Sequence, residues 1–487
     1  MWHRGPRAEH GRMTEIVTGL SLSPLEFLAV LGAVALVVAR WLPPATRPRV
    51  TIAAGALCAL ALGVAGVRWQ LLPVPAGAAL ALPFAVSPLL RRRGGRPAWR
   101  ARWWLALPGS VACVGLIALG PVAAWAFPVP VFPEPSGRFA VGTRVVQWTD
   151  PHRAETFTAD PSDRRTVVVQ LWYPAQKSPA GARRAQYLGR TEHEARIVSD
   201  ALARQVGVPG FLMDGVPRAR TRSVFGAPVA GGSGRFPVVL FSPGSGGVRT
   251  QNTAWAEELA SHGYVVAALD HPYDSAAVVL ADGRTLRGRT ASTGDRAKDD
   301  VLAAEWTAVR AADLSFVLTQ LGRHLAGPLS GRLDTGRVAV TGHSLGGAAA
   351  LQAARWDGRF GAVIDLDGYP HGPAAPPLRR PTLALTQAIT PDTDPQYLPR
   401  LTEALKSGAA TTHRLTVPGA AHLTFMDGPL YLPPVPSVVG SLGRAESPRV
   451  VAAITLAFLD STLRHKPGDL AGVLSSYGDL TVHRPGG

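Results

Sequence analysis

Two cysteines in 487 residues, Cys58 and Cys113, are too few for a disulfide framework or a cysteine-ligated metal site. Both fall within long apolar stretches, where each reads as a small buried side chain. Lysine is nearly missing, and the first 127 residues contain none. No G-x-x-x-x-G-K-[ST] run occurs, so the glycine-rich turns are not a nucleotide phosphate loop. Internal repeats and low-complexity tracts are also missing, which leaves ordinary globular or membrane architecture to be read.

What is present is apolar sequence and arginine. Hydrophobic residues make up 46% of the chain and mean hydropathy is +0.11, higher than most soluble proteins. Almost all of that excess lies in four runs before residue 128, at residues 25–42, 50–67, 71–90 and 103–127. At about 1.5 Å per residue each run is long enough to cross a hydrocarbon core of about 30 Å. A cleaved signal peptide would explain only one of the four, so residues 1–127 are expected to form four transmembrane helices. Pro73, Pro75, Pro83 and Pro88 make the third the least regular. Trp41, Trp69, Trp103, Trp104 and Trp125 fall near run ends, where indoles favour the headgroup layer.

The formal charge of +16 follows the same division. Residues 1–127 hold 13 arginines against Glu9, Glu15 and Glu26, which is +10; the other 360 residues carry only +6. Arg40, Arg47 and Arg49 lie between the first and second runs, and Arg91, Arg92, Arg93, Arg96, Arg100 and Arg102 between the third and fourth. By the positive-inside rule both loops face the cytoplasm, so the Arg68 loop and everything after Phe127 face outward. This predicts a multi-pass cell-membrane protein with an extracytoplasmic domain. The N-terminus is expected outside too, which Arg4, Arg7 and Arg12 oppose; a start at Met13 would remove the conflict. Charge placed in membrane loops, rather than in one patch, excludes a nucleic-acid binder. Glu26 is the one acid at the edge of the bundle, so the intramembrane charges of an ion or proton pathway are lacking. An anchor is expected in preference to the alternative, a four-span transporter or sensor carrying a non-catalytic binding module.

Proline-rich residues 128–138 read as a stiff extended linker, residues 139–465 as one domain, and residues 466–487 as a C-terminal tail. A domain of this size buries enough apolar area to be stable without disulfides. Strand signals at 143–148, 166–173, 237–242, 264–269, 337–341, 362–366, 382–385 and 412–417 alternate with helical signals at 254–262, 297–321, 347–355, 397–405 and 449–463. That alternation predicts an α/β fold: a mostly parallel sheet covered on both faces, begun by an antiparallel hairpin. The segment 186–222 is too long for a simple connection and reads equally as a lid, with Phe211, Leu212 and Met213 as its apolar edge, or as a packed insertion.

The chemistry centres on Val338 to Gly347, where a β-branched run breaks into Gly342-His343-Ser344-Leu345-Gly346 and then an alanine-rich helix. Strand, sharp turn and helix around G-x-S-x-G form the nucleophile elbow of an α/β-hydrolase, with Ser344 exposed and Gly342 and Gly346 required for close approach. A serine hydroxyl needs a base and an orienting acid, in the chain order serine, acid, histidine. His422 follows the last strand signal and precedes the last helical one on a loop of small residues, and is the expected base. His343, His371 and His413 are badly placed for that role. Asp392 and Asp394 are possible acids, but Asp367, at the rim of the strand after the elbow helix, is preferred over the deeper Asp365. The backbone N–H groups of Leu345 and of Ser245, in the turn Gly244-Ser245-Gly246, are the expected oxyanion donors, with Gly246 and Gly247 allowing close approach to substrate. Asp270, His271 and Tyr273 are expected to be either pocket-shaping or plain surface.

Phe241-Ser242-Pro243-Gly244-Ser245-Gly246-Gly247, then Leu259 to Ala268, the elbow, Leu366-Asp367-Gly368 and Gly419-Ala420-Ala421-His422 together resemble the plasma-type platelet-activating factor acetylhydrolases and their bacterial relatives. The resemblance covers roughly residues 139–463 and leaves out the four apolar runs. It implies a serine esterase acting on short or oxidised acyl groups of lipids, without calcium or another cofactor, with Ser344, Asp367 and His422 as triad. Pro243 departs from the pattern, which has histidine before the oxyanion glycine.

Overall fold

The computed structural model describes residues 21–43, 45–93, 103–179, 181–232, 234–323, 327, 329–372, 376–391 and 393–485. It divides into two compact units, Met1–Pro128 and Val129–Gly487.

The first unit contains α1 (Pro24–Val38), α2 (Arg47–Ala65), α3 (Pro73–Arg93) and α4 (Trp103–Ala126). With its one-turn extension to Trp41, α1 joins the others in being long and apolar enough to cross a membrane. The prolines do not interrupt α3: Pro73 and Pro75 stand in its first turn, where a missing N–H costs no hydrogen bond. Ser23 and Glu26 close a reciprocal cap on α1. Glu26 also takes Arg68 in a two-pronged ion pair of 2.7 and 3.0 Å, buried on both sides, so the bundle's acid is neutralised within the bundle. Arg4, Arg7, Arg12, Arg96, Arg100 and Arg102 lie outside the described residues.

The second unit is built on an eleven-stranded sheet. Its strands are β1 (Ala140–Ala154), β2 (Arg164–Ala175), β3 (Arg184–Gln186), β4 (Arg220–Phe225), β5 (Phe236–Ser242), β6 (Val265–Asp270), β9 (Leu333–His343), β10 (Ala362–Leu366), β11 (Thr382–Thr386), β12 (Thr412–Thr416) and β13 (Asp479–His483). A separate hairpin pairs β7 (Ala277–Val279) with β8 (Thr285–Arg287). The order across the sheet is β13-β12-β11-β10-β9-β5-β6-β2-β1-β4-β3. Neighbours from β6 through β12 are parallel, and β1–β2 is the antiparallel hairpin. The central strands are buried on both faces, hence continuous runs such as Val238 to Phe241 and Val338 to Val340 with no exposure.

Helices cover both sides. α7 (Arg296–Arg323), α8 (Leu345–Trp356) and α9 (Tyr397–Lys406) share one core; α6 (Thr253–Ser261) and α11 (Glu446–Thr462) pack into the other. α5 (Glu192–Gln205), the one-turn α10 (Pro436–Val439) and α12 (Leu470–Ser475) complete the set.

One sequence expectation is modified here and one open alternative is resolved. The C-terminal tail expected at 466–487 contains β13, which pairs antiparallel with β12 and forms the sheet edge. Residues 186–222 are a packed insertion. Glu194 of α5 pairs with Arg249 at 2.8 Å, Arg249 pairs in turn with Asp270, and all three are buried. The proline-rich stretch is extended but also packed, with Phe132 buried edge-on against Tyr187.

Candidate active site

β9 runs into Ser344, whose φ of 55° and ψ of −123° place a non-glycine residue in strained backbone. The turn that forces this is tight on all sides. A Cβ on Gly342 would lie 2.1 Å from the Gly346 carbonyl oxygen, and one on Gly346 would lie 2.0 Å from that of Ser242. The N–H of Ser344 donates to Leu366 O at 2.9 Å, tying the elbow to the end of β10. The next residue is Asp367, also in the left-handed region at φ 58°.

Asp367 is the acid that meets His422: Nδ1 lies 2.6 Å from Asp367 Oδ2. The other carboxylate oxygen accepts from Gln387 N–H at 2.8 Å and from the Tyr397 hydroxyl at 2.7 Å. Burial pushes this carboxyl up, but the His422, Gln387 and Tyr397 hydrogen bonds prevail and hold it below its ordinary value. Against an ionised Asp367, Nδ1 carries the proton and Nε2 keeps its lone pair. Burial and the Asp367 charge push Tyr397 well above its ordinary value, so its hydroxyl remains a donor. Asp365 is different: burial and the Asp367 charge push it well up, and among the described residues it accepts only from Gly368 N–H and its Oδ2 has no partner. Its carboxyl packs beneath the elbow helix, where a Cβ on Gly347 would lie 1.9 Å from Oδ1.

Ser344, Leu345, Asp367, His422 and Ser245 all line one cavity of about 670 Å³ at the carboxyl ends of the parallel strands. Among the described residues, no hydrogen bond joins the Ser344 hydroxyl to His422, although both face this cavity; such contacts commonly tighten only around substrate. The N–H groups of Ser245 and Leu345 have no acceptor among the described residues, as oxyanion donors require. Trp306, Tyr369 and Tyr397 supply aromatic wall.

Asp394 and His371 line the same cavity but are engaged by partners other than the Asp367–His422 pair. Asp394 accepts from the Tyr369 hydroxyl at 3.0 Å, and Asp392 lies outside the described residues. His371 bonds Asp300 at 3.1 Å, and His413 is buried on β12. Gly246 and Gly247 are not among the residues lining the cavity; glycine is favoured at 246 by a φ of 66° and at 247 by the Gly244 carbonyl oxygen, 2.9 Å from where a Cβ would stand. Asp270 and His271 are neither surface nor pocket wall, being fully buried. His271 Nδ1 is 2.8 Å from Asp313 and Nε2 is 2.9 Å from Ser242 Oγ. Tyr273 stacks on Phe157 at the rim.

Sequence reasoning missed four residues. Tyr397 and Gln387 hold Asp367, and neither lies in a local motif. His343, rejected as a base, donates from Nε2 to the His422 carbonyl at 3.0 Å and accepts at Nδ1 from Gln251. Burial and the neighbouring His422 push it down to about 3, so it stays neutral. Arg310, buried at mid-α7, donates to the carbonyls of Pro243 and Gly244.

A strained serine between a central parallel strand and a helix, with an Asp-His pair on the next loops of the same rim, defines the α/β-hydrolase fold. The family model described as platelet-activating factor acetylhydrolase, isoform II, matches residues 126–288 and 321–469. The chain belongs to that family. It is 27% identical over 245 residues to a probable 1-alkyl-2-acetylglycerophosphocholine esterase of Arthroderma benhamiae, covering 49% of this chain and 59% of that protein. It is 30% identical over 263 residues to a platelet-activating factor acetylhydrolase of Canis lupus familiaris, covering 49% and 55%. The chain thus spans under two thirds of either relative. A solved ferulic acid esterase from Streptomyces cinnamoneus superposes with a TM-score of 0.57 at 31% identity, covering 73% of this chain and 99% of that one.

Proposed function

We propose that this protein is a membrane-anchored serine carboxylic-ester hydrolase that acts on short-acyl or lipid-like esters. The observation that carries the reading is the 2.6 Å His422–Asp367 contact at the mouth of the cavity that Ser344 lines. Its relatives' names, an alkyl-acetylglycerophosphocholine esterase and a platelet-activating factor acetylhydrolase, support the substrate class.

In this mechanism His422 Nε2 takes the proton of Ser344 as the hydroxyl oxygen attacks the ester carbonyl. Asp367 holds the imidazole in the required tautomer and stabilises the imidazolium. The tetrahedral oxyanion lies against the N–H groups of Ser245 and Leu345. His422 then protonates the leaving alcohol, and a water molecule, activated in the same way, releases the acyl group. No metal or cofactor enters any step.

The four apolar helices serve as anchor, and the arginine-rich loops place residues 128–487 outside the cytoplasm. Side chains that face outward from the bundle, such as Ile52, Leu60, Leu80 and Val111, are apolar and exposed, as lipid contact requires. The test is hydrolysis of p-nitrophenyl acetate and longer p-nitrophenyl esters by the full-length chain in detergent, alongside a membrane-impermeant ester given to intact cells. Release in both settings is expected. An active Ser344→Ala variant would overturn the nucleophile, and activity confined to lysed cells would overturn the orientation.

A further inference from the structure

The turn that supplies one oxyanion donor is held from behind by a buried cation. Arg310 has no exposed surface. Its Nη1 donates to the Pro243 carbonyl, and its Nη2 donates to the Gly244 carbonyl at 3.0 Å. The same guanidinium grips Asp274 with Nε at 2.5 Å and Nη2 at 2.7 Å. Asp274 is itself buried, so the pair is fixed at both ends.

The peptide plane turns this grip into a statement about chemistry. The Gly244 carbonyl and the Ser245 N–H belong to one trans peptide unit and point in opposite directions. A cation fixing the carbonyl on the interior side therefore aims the N–H outward, and Ser245 lines the cavity that Ser344 and His422 share. A charged donor on the carbonyl also polarises the amide, which strengthens the N–H as a donor to a developing oxyanion. The Gly247 N–H donates to the same carbonyl at 2.9 Å, closing the turn that Arg310 orients.

We infer that Arg310, seated on Asp274, is a positioning residue that presets the Ser245 amide for the transition-state oxyanion. This rests on the esterase reading above. Because the amide is used chiefly in the tetrahedral state, weakening its placement should lower kcat and leave substrate binding largely intact.

The test compares wild type, Arg310→Lys and Asp274→Asn in the full-length chain. For p-nitrophenyl acetate, Arg310→Lys is expected to lose roughly 10²-fold or more in kcat, the scale of one oxyanion donor, with KM nearly unchanged. A trifluoromethyl ketone, which adds Ser344 Oγ to give a tetrahedral oxyanion, should lose affinity in parallel. A non-hydrolysable ether of the same chain length, which makes no oxyanion, should not. If Arg310→Lys fails to fold, Asp274→Asn carries the test and should shift the same parameters in the same direction by less. Unchanged kcat in a folded variant, or equal losses for ketone and ether, would overturn the inference. A wild type that hydrolyses no ester would instead overturn the esterase reading itself.

Discussion

Among the described residues, the second unit holds two Asp-His-Ser sets with similar Asp-His contacts and different fates. In one, His271 lies 2.8 Å from Asp313 and 2.9 Å from Ser242 Oγ, and all three residues are completely buried. In the other, His422 lies 2.6 Å from Asp367, its ring is 40% exposed, and Ser344 stands across a cavity open to substrate. Residue types and Asp-His distances do not separate them. Access and the surrounding charges do. Arg165 clamps Asp313 at 2.8 Å, and although burial pushes that carboxyl up, Arg165 and His271 hold it far below its usual range. Burial pushes His271 down, so the inner set is locked as neutral imidazole beneath ionised carboxylate. It braces β5 and the turn after it, whereas the outer set is the one proposed above to move a proton.

The comparison breaks most sharply at the serines. Ser344→Ala should reduce ester hydrolysis by at least about 10³-fold. Ser242→Ala should keep measurable turnover but lose about 1–3 kcal/mol of stability, since it leaves the His271 lone pair buried without a donor. Denaturant unfolding beside steady-state kinetics reads both; equal kinetic losses would erase the distinction drawn here.

A finer cut is available at Tyr397, which has no counterpart on the inner set. Tyr397→Phe removes a donor from the Asp367 carboxylate, so kcat should fall by about tenfold, the scale of one hydrogen bond to a charge. Removing that donor lets the Asp367 carboxyl rise back toward its ordinary value, so the acid side of the kcat/KM profile should move to higher pH. A profile that does not move would reduce Tyr397 to packing.

The smallest expected effect is on stability against pH. His271 and His343 both have lowered folded-state values, the latter about 3, because burial disfavours their charged forms. At these two sites the unfolded chain binds more protons than the folded one below about 6.5, so their contribution to stability falls as pH drops from about 6.5 toward 3. The thermal midpoint measured from pH 7 to pH 5 should decline, and His343→Gln should flatten that slope. An unchanged slope would mean His343 already titrates in the folded state.

Much of this architecture can be read from local pattern. The G-x-S-x-G turn is legible as a local motif, with Gly342 required by its neighbours Gly346 and Gly347 and Gly346 by the end of β5, and the eight expected strands all form, with ends shifted by a few residues. Asp367 was reachable through strand alternation and rim position, His422 through its place after β12. The missed elements are short or non-local. β3 and β4 pair only with each other and with the sheet edge, and β13 is polar sequence that becomes a strand because β12 offers it an edge. Arg310 meets Gly244 across 66 residues of chain, and no spacing in α7 marks it.

The sequence by itself determined where backbone must turn, which runs are apolar enough for a membrane, and which serine is strained outward, because each depends on sterics or hydropathy over a few adjacent residues. Tertiary structure alone decided which histidine stays wet, which aspartate is desolvated, and which cation stands behind the Gly244–Ser245 turn. Exposure, desolvation and ion pairing are properties of residues that meet only after distant strands have packed.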